Sequence, residues 1–96
     1  MNYRFFEDSG HGWLRVPVPE LHELGILKQI SAYSYVSTDG LTAFLEEDCD
    51  LSVFCRAKGW APGTLEQHAA VIYQDGESHI RNLRSIKTIQ GYPVWN

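Results

Sequence analysis

The chain has 96 residues, 44% hydrophobic and 21% charged, with eight Lys and Arg against twelve Asp and Glu for a net charge of −4. That length predicts a single domain with little room for a deep cleft. The composition excludes a disordered, collagenous or low-complexity chain, and the acidic balance argues against a general binder of phosphate backbones, which needs clustered Lys and Arg.

Residues 3–8, YRFFED, read as a first strand. The turn cluster Ser9-Gly10-His11-Gly12 follows, and Trp13-Leu14-Arg15-Val16 returns as the second arm of a hairpin whose loop exceeds the favoured two residues. Pro17 stops pairing. Pro19 to Gly25 predicts a short helix with proline and Glu20 in its first turn, Leu21 and Leu24 inward, and glycine past its end. Tyr33 to Ser37 alternates and is rich in β formers; Thr38-Asp39-Gly40 turns the chain, and Thr42 to Glu46 pairs back.

Acids at Glu47, Asp48 and Asp50, bases at Arg56 and Lys58, and Gly59 just beyond them predict a helix over residues 51–58. Leu51, Phe54 and Cys55 form its inward stripe. Trp60 to Gly63 connects to a strand over Gln67 to Tyr73. Ile80, Leu83, Ile86 and Ile89 then recur every three residues, which favours helical turns, with Ser78 available as N-cap and Gly91 as C-cap. The apolar tail Tyr92-Pro93-Val94-Trp95 is expected to dock on its own domain or on a partner. The predicted fold is α+β: a mostly antiparallel sheet of four to five strands, with two or three helices packed on one face, in the order ββαββαβ followed by a helix.

No apolar run approaches the ~20 residues that span a bilayer, and the first residues lack a signal-peptide core. On one helix, Cys49 and Cys55 would sit ~9 Å apart along the axis, on different faces, too far for a disulfide. Two reduced thiols suit a cytoplasmic protein.

Four constellations could carry chemistry. Glu46, Glu47, Asp48 and Asp50 could hold a hard cation, Glu47 and Asp48 being the weak metal candidates. Their spacing matches no EF-hand, so helix capping and dipole compensation explain them more simply. Among His11, His22, His68 and His79, only His11 stands between two glycines, where an imidazole could serve as base or ligand. Cys49 precedes a helix, but the acids around it oppose a lowered thiol pKa. Arg81, Arg84 and Lys87, three apart, would line a basic edge on a helix, the feature a weak nucleic-acid reading would need. No P-loop, GxSxG, GxGxxG, HExxH or zinc spacing occurs. Tyr33, Tyr35 and Phe44 place aromatics on neighbouring strands, with the two tyrosines on one face.

The strings Glu7-Asp8-Ser9-Gly10-His11-Gly12-Trp13-Leu14-Arg15-Val16-Pro17, Leu24-Gly25-Ile26, Ile30-Ser31-Ala32-Tyr33-Ser34-Tyr35 and Leu45-Glu46-Glu47-Asp48-Cys49-Asp50 together carry a likeness. They resemble a group of small uncharacterised bacterial proteins, often encoded on plasmids, phages and other mobile DNA, with the pattern DPGHGWL-x-VP, LGI, IS-x-YSY, LEEDCD. Here Ser9 replaces the usual proline; beyond residue 55 only Ile80-Arg81-Asn82 corresponds. The resemblance implies accessory cargo and supplies no catalytic residues.

These readings predict a small non-enzymatic binding protein, without cofactor, homodimeric, with a protein or small-molecule partner. Its expected contact residues are His11, Trp13, Tyr33, Tyr35, Tyr92 and Trp95. The alternative is an enzyme or metal-binding protein using His11 with Glu46, Glu47 or Asp48.

Overall fold

The computed structural model describes residues 3–88. β1 (Tyr3–Glu7) and β2 (Gly12–Pro17) pair antiparallel, with Phe5 opposite Leu14 and Glu7 opposite Gly12. Their turn is tighter than the sequence suggests. The Asp8 N–H donates to the His11 carbonyl at 2.9 Å, while the Asp8 carboxylate accepts the Gly10 and His11 amides at 3.0 and 2.9 Å. An aspartate-closed turn over Ser9 and Gly10 therefore joins the strands. Gly12 serves by its lack of a side chain rather than by a positive φ: a Cβ there would lie 2.4 Å from the Phe5 ring.

α1 (Val18–Glu23) starts on Pro17 and Pro19 and buries Val18 and Leu21. Gly25, at φ 73°, closes it: its N–H donates to the His22 carbonyl and the Ile26 N–H to the Leu21 carbonyl, both at 3.0 Å. β3 is only Tyr35–Val36, shorter than the alternation predicts, because Ser34 is used as a polar tie. Its hydroxyl donates to the Asp50 carboxylate and accepts the Glu46 amide at 2.9 Å. β4 (Thr42–Glu46) pairs antiparallel with both β3 and β2.

α2 (Leu51–Lys58) ends where Gly59 predicts, at φ 74°. Phe54 is fully buried, whereas Leu51 and Cys55 are half-buried, so the expected stripe is one residue deep. Cys49 lies in the turn before this helix rather than on it, and both thiols are free. Asp50 stands at the N-cap yet makes no side-chain cap bond; its carboxylate instead accepts the Ser31 amide at 2.9 Å and the Ser31 hydroxyl at 2.8 Å.

β5 (Ala69–Tyr73) pairs parallel with β1, Phe5 beside Val71. β6 (Arg84–Ser85) pairs antiparallel with β3. The result is α+β, with one six-stranded mixed sheet in the order β5-β1-β2-β4-β3-β6 and two α-helices among the described residues. Two expectations are corrected here: the strand count, and the terminal helix. The period of three after Ser78 belongs to two 3-10 turns, His79–Asn82 and Ile86–Thr88, which complete a turn in about 3.0 residues. β6 lies between them. Ser78 does cap the first, its hydroxyl accepting the Ile80 amide at 3.2 Å. Ile89, Gly91 and the tail with Tyr92 and Trp95 lie outside the described residues.

Alternation along the strands divides the sheet into two faces. Phe5, Leu14, Val16, Ala43 and Leu45 point to the front, where Val18 and Leu21 of α1 and Phe54 of α2 join them in one buried cluster. Arg4, Phe6, Trp13, Arg15 and Phe44 point to the back. Trp13 and Ile80 are buried there, 2% and 1% exposed, outside the main cluster. No helix among the described residues is long and apolar enough to cross a membrane.

Candidate functional site

Asp8 anchors the buried region around Trp13 and Ile80 on the back face. This carboxylate is itself buried, and five donors converge on it. Besides the two turn amides, the Ser78 N–H reaches its Oδ2 at 2.9 Å. The Arg81 guanidinium closes a bidentate pair, Nε to Oδ2 at 2.7 Å and Nη2 to Oδ1 at 2.8 Å. Arg81, followed by the Ser78, Gly10 and His11 amides, holds the Asp8 carboxyl far below the usual carboxylate range, against the opposing effect of burial. The first hairpin turn is thereby tied to a segment seventy residues later.

That tie builds a wall around Trp13. The His11 ring stacks on the indole at 5.8 Å with 20° between planes, the Arg81 guanidinium lies 5.7 Å from its centroid, and Tyr35 leans against it at 6.4 Å. Trp13 Nε1 is buried with no hydrogen-bond partner among the described residues, which costs about 1–3 kcal/mol for a neutral donor.

A cavity of about 270 Å³ opens beside this cluster, lined by His11, Trp13, Tyr33, Tyr35, Glu46, Asp48, Cys49 and Arg81. It gathers the four expected contact residues that lie within the described chain. Tyr33 reaches it from outside β3, so the two tyrosines share a cavity without sharing a strand; its ring is 70% exposed.

The acidic cluster divides by role. Glu46 is buried, and its Oε1 accepts the Asp48 and Cys49 amides, both at 2.9 Å, capping the turn into α2. Asp48 is exposed at the cavity rim and makes no hydrogen bond or ion pair through its carboxylate among the described residues. Glu47 stands outside the cavity; desolvation, then the charges of Asp48, Glu7 and Glu46, push its carboxyl up, against a lowering by His11. Desolvation, then a hydrogen bond with Glu46 and the charges of Glu46, Asp50 and Asp48, likewise raise the Cys49 thiol. No three His, Cys, Asp or Glu side chains come together as a metal site among the described residues, Glu47 and Asp48 included.

The basic edge dissolves for a geometric reason: its three residues sit on three different elements. Arg81 is in the 3-10 turn and neutralised by Asp8, Arg84 is in β6, and Lys87 is in the last 3-10 turn. Sequence reasoning missed Asp8 itself. The order Asp8-Ser9-Gly10 signals an aspartate-closed turn, but nothing local announces the arginine that completes it.

The cavity therefore offers one open and one half-buried tyrosine ring, a rim carboxylate with no partner among the described residues, a buried carboxylate in its wall, and a guanidinium whose charge is already spent. No protein-family model, curated protein or solved structure matches this chain.

Proposed function

We propose that the protein is a small binding protein that holds a positively charged organic group, an ammonium or guanidinium, against Tyr33 and Tyr35 with Asp48 as counter-charge. The observation carrying this reading is the convergence of His11, Trp13, Tyr33, Tyr35 and Asp48, from separate parts of the chain, on one cavity. Aromatic faces attract cations by about 0.5–1 kcal/mol at exposed sites and more when dry. Arg81 already lies in this manner over Trp13. The net charge beside the tyrosine rings is negative, because Asp8 cancels Arg81 while Asp48 has no partner among the described residues.

The group belongs either to a small amine or to a Lys or Arg side chain of a protein partner. The likeness to small proteins of plasmids and phages supports a role as accessory cargo on mobile DNA, acting in the cytoplasm. We further propose that the chain works as a homodimer.

Titration with arginine amide and tetramethylammonium chloride, followed by thermal shift, tests the site. Saturable stabilisation is expected, weakened about two- to five-fold by Tyr33→Leu, which keeps apolar area and removes the ring. An unchanged response in Tyr33→Leu and Asp48→Asn, or an equal response to sodium acetate, would overturn the reading. A peptide bearing one arginine distinguishes the sources: tighter binding than arginine amide points to a protein partner, equal binding to a small amine.

A further inference from the structure

We infer that β5 is the dimer interface, pairing antiparallel with β5 of a second copy to continue the sheet across a two-fold axis at Val71. This rests on the homodimer part of the reading above and is independent of the cavity.

β5 ends the sheet. Its sequence, AAVIY, has no charge, no proline and no glycine, so it lacks the features that commonly blunt an edge strand. Four of its five residues are exposed; Val71, Ile72 and Tyr73 stand 42%, 37% and 59% open.

The hydrogen-bond direction follows from one contact. The Gln74 N–H donates to the Glu7 carbonyl at 2.8 Å, so Gln74 turns its amide toward β1. Backbone groups alternate sides along a strand. Ile72 and Ala70 therefore also face β1, while Ala69, Val71 and Tyr73 turn their N–H and C=O groups outward. None of these three makes a backbone hydrogen bond outside the strand ladders among the described residues.

A two-fold axis at Val71 sets Val71 against Val71 of the second copy, and Ala69 against Tyr73. All three resulting residue pairs are of the hydrogen-bonded kind, satisfying the outward groups of both strands at once. Side chains fit the same register. Ala69 opposes Tyr73 and Ala70 opposes Ile72, small against large on each face, and no like charges meet within the strand. A contact of two five-residue strands lies at the small end of interface sizes, so micromolar rather than nanomolar affinity is expected.

Sedimentation velocity from about 5 to about 500 µM, a range bracketing micromolar affinity, tests the interface on the full chain and on Val71→Pro. Proline suits this position in the monomer because the lost N–H points away from β1. The native chain is expected to shift from monomer to dimer and Val71→Pro to stay monomeric with unchanged circular dichroism. Should Val71→Pro fail to fold, Val71→Cys in a Cys49→Ser, Cys55→Ser background is expected to form a disulfide dimer on mild oxidation. The same background with Ala70→Cys is expected not to, since Ala70 does not face itself. A native dimer that survives Val71→Pro, or that cross-links equally at residue 70, overturns the β5 interface and leaves the dimer reading intact. A native chain that stays monomeric throughout overturns both.

Discussion

The two faces of the sheet hold tryptophan rings by different means. On the front, Trp60 meets Tyr3 and Phe54 edge to face at 5.3 and 5.5 Å, and Tyr3 meets Phe54 at 5.6 Å. Two polar ends there share one carboxylate: the Tyr3 hydroxyl donates to Glu20 at 2.5 Å, and Lys58 reaches the same group at 2.8 Å. On the back, Trp13 is enclosed by a charged clamp instead of an apolar core, its indole N–H has no partner among the described residues, and Tyr33 beside it stays open. The front face is built for stability. The back face keeps aromatic surface available at some cost to it, which is the pattern expected of a binding site.

Substitutions on each face should separate these roles. The largest effect is expected from Phe54→Ala, which empties a fully buried ring site and should cost about 3–5 kcal/mol in urea unfolding. Asp8→Asn should come next, because it leaves the Arg81 charge without its partner and loosens the turn that carries His11. The sign of its pH dependence follows from the depressed Asp8 carboxyl. That contribution is complete above the unfolded-state pKa and declines as pH falls below about 4. The gap in melting temperature between the native chain and Asp8→Asn should therefore be full at pH 7 and narrow on acidification. A gap independent of pH would assign the effect to packing.

Glu47→Gln should give the smallest effect, with the opposite sign. A raised carboxyl pKa favours folding below the unfolded-state value and opposes it once the group ionises. The variant should melt slightly above the native chain at pH 7 and match it below about pH 4. A lower melting temperature at pH 7 would contradict the direction given by burial and the neighbouring acids.

What the sequence revealed follows the distance over which each feature is decided. The Gly59 stop of α2, the Gly25 stop of α1 and both hairpins depend on residues within a few positions, and all are legible. The parallel seat of β5 beside β1 is decided between segments more than sixty residues apart, where no local pattern records direction. β6 was hidden because a period of three fits a 3-10 turn as well as one face of an α-helix. The cavity was half legible. Glycines around His11 and paired tyrosines drew notice to the contact residues, but Arg81 meets Asp8 only through the fold, and the Ser34 tie that takes Tyr33 out of β3 depends on Asp50 sixteen residues later.

If the back-face cavity, rather than any other surface, receives a cationic group, the tryptophan signals will report it. The chain has three tryptophans, Trp13, Trp60 and Trp95, so their indole N–H resonances can be assigned by single substitution and followed as arginine amide is added. Saturable shifts are expected of the Trp13 indole and of the His11, Tyr33 and Tyr35 amides, with the Trp60 indole unmoved. Shifts that fail to saturate, or that move Trp60 as far as Trp13, would contradict it.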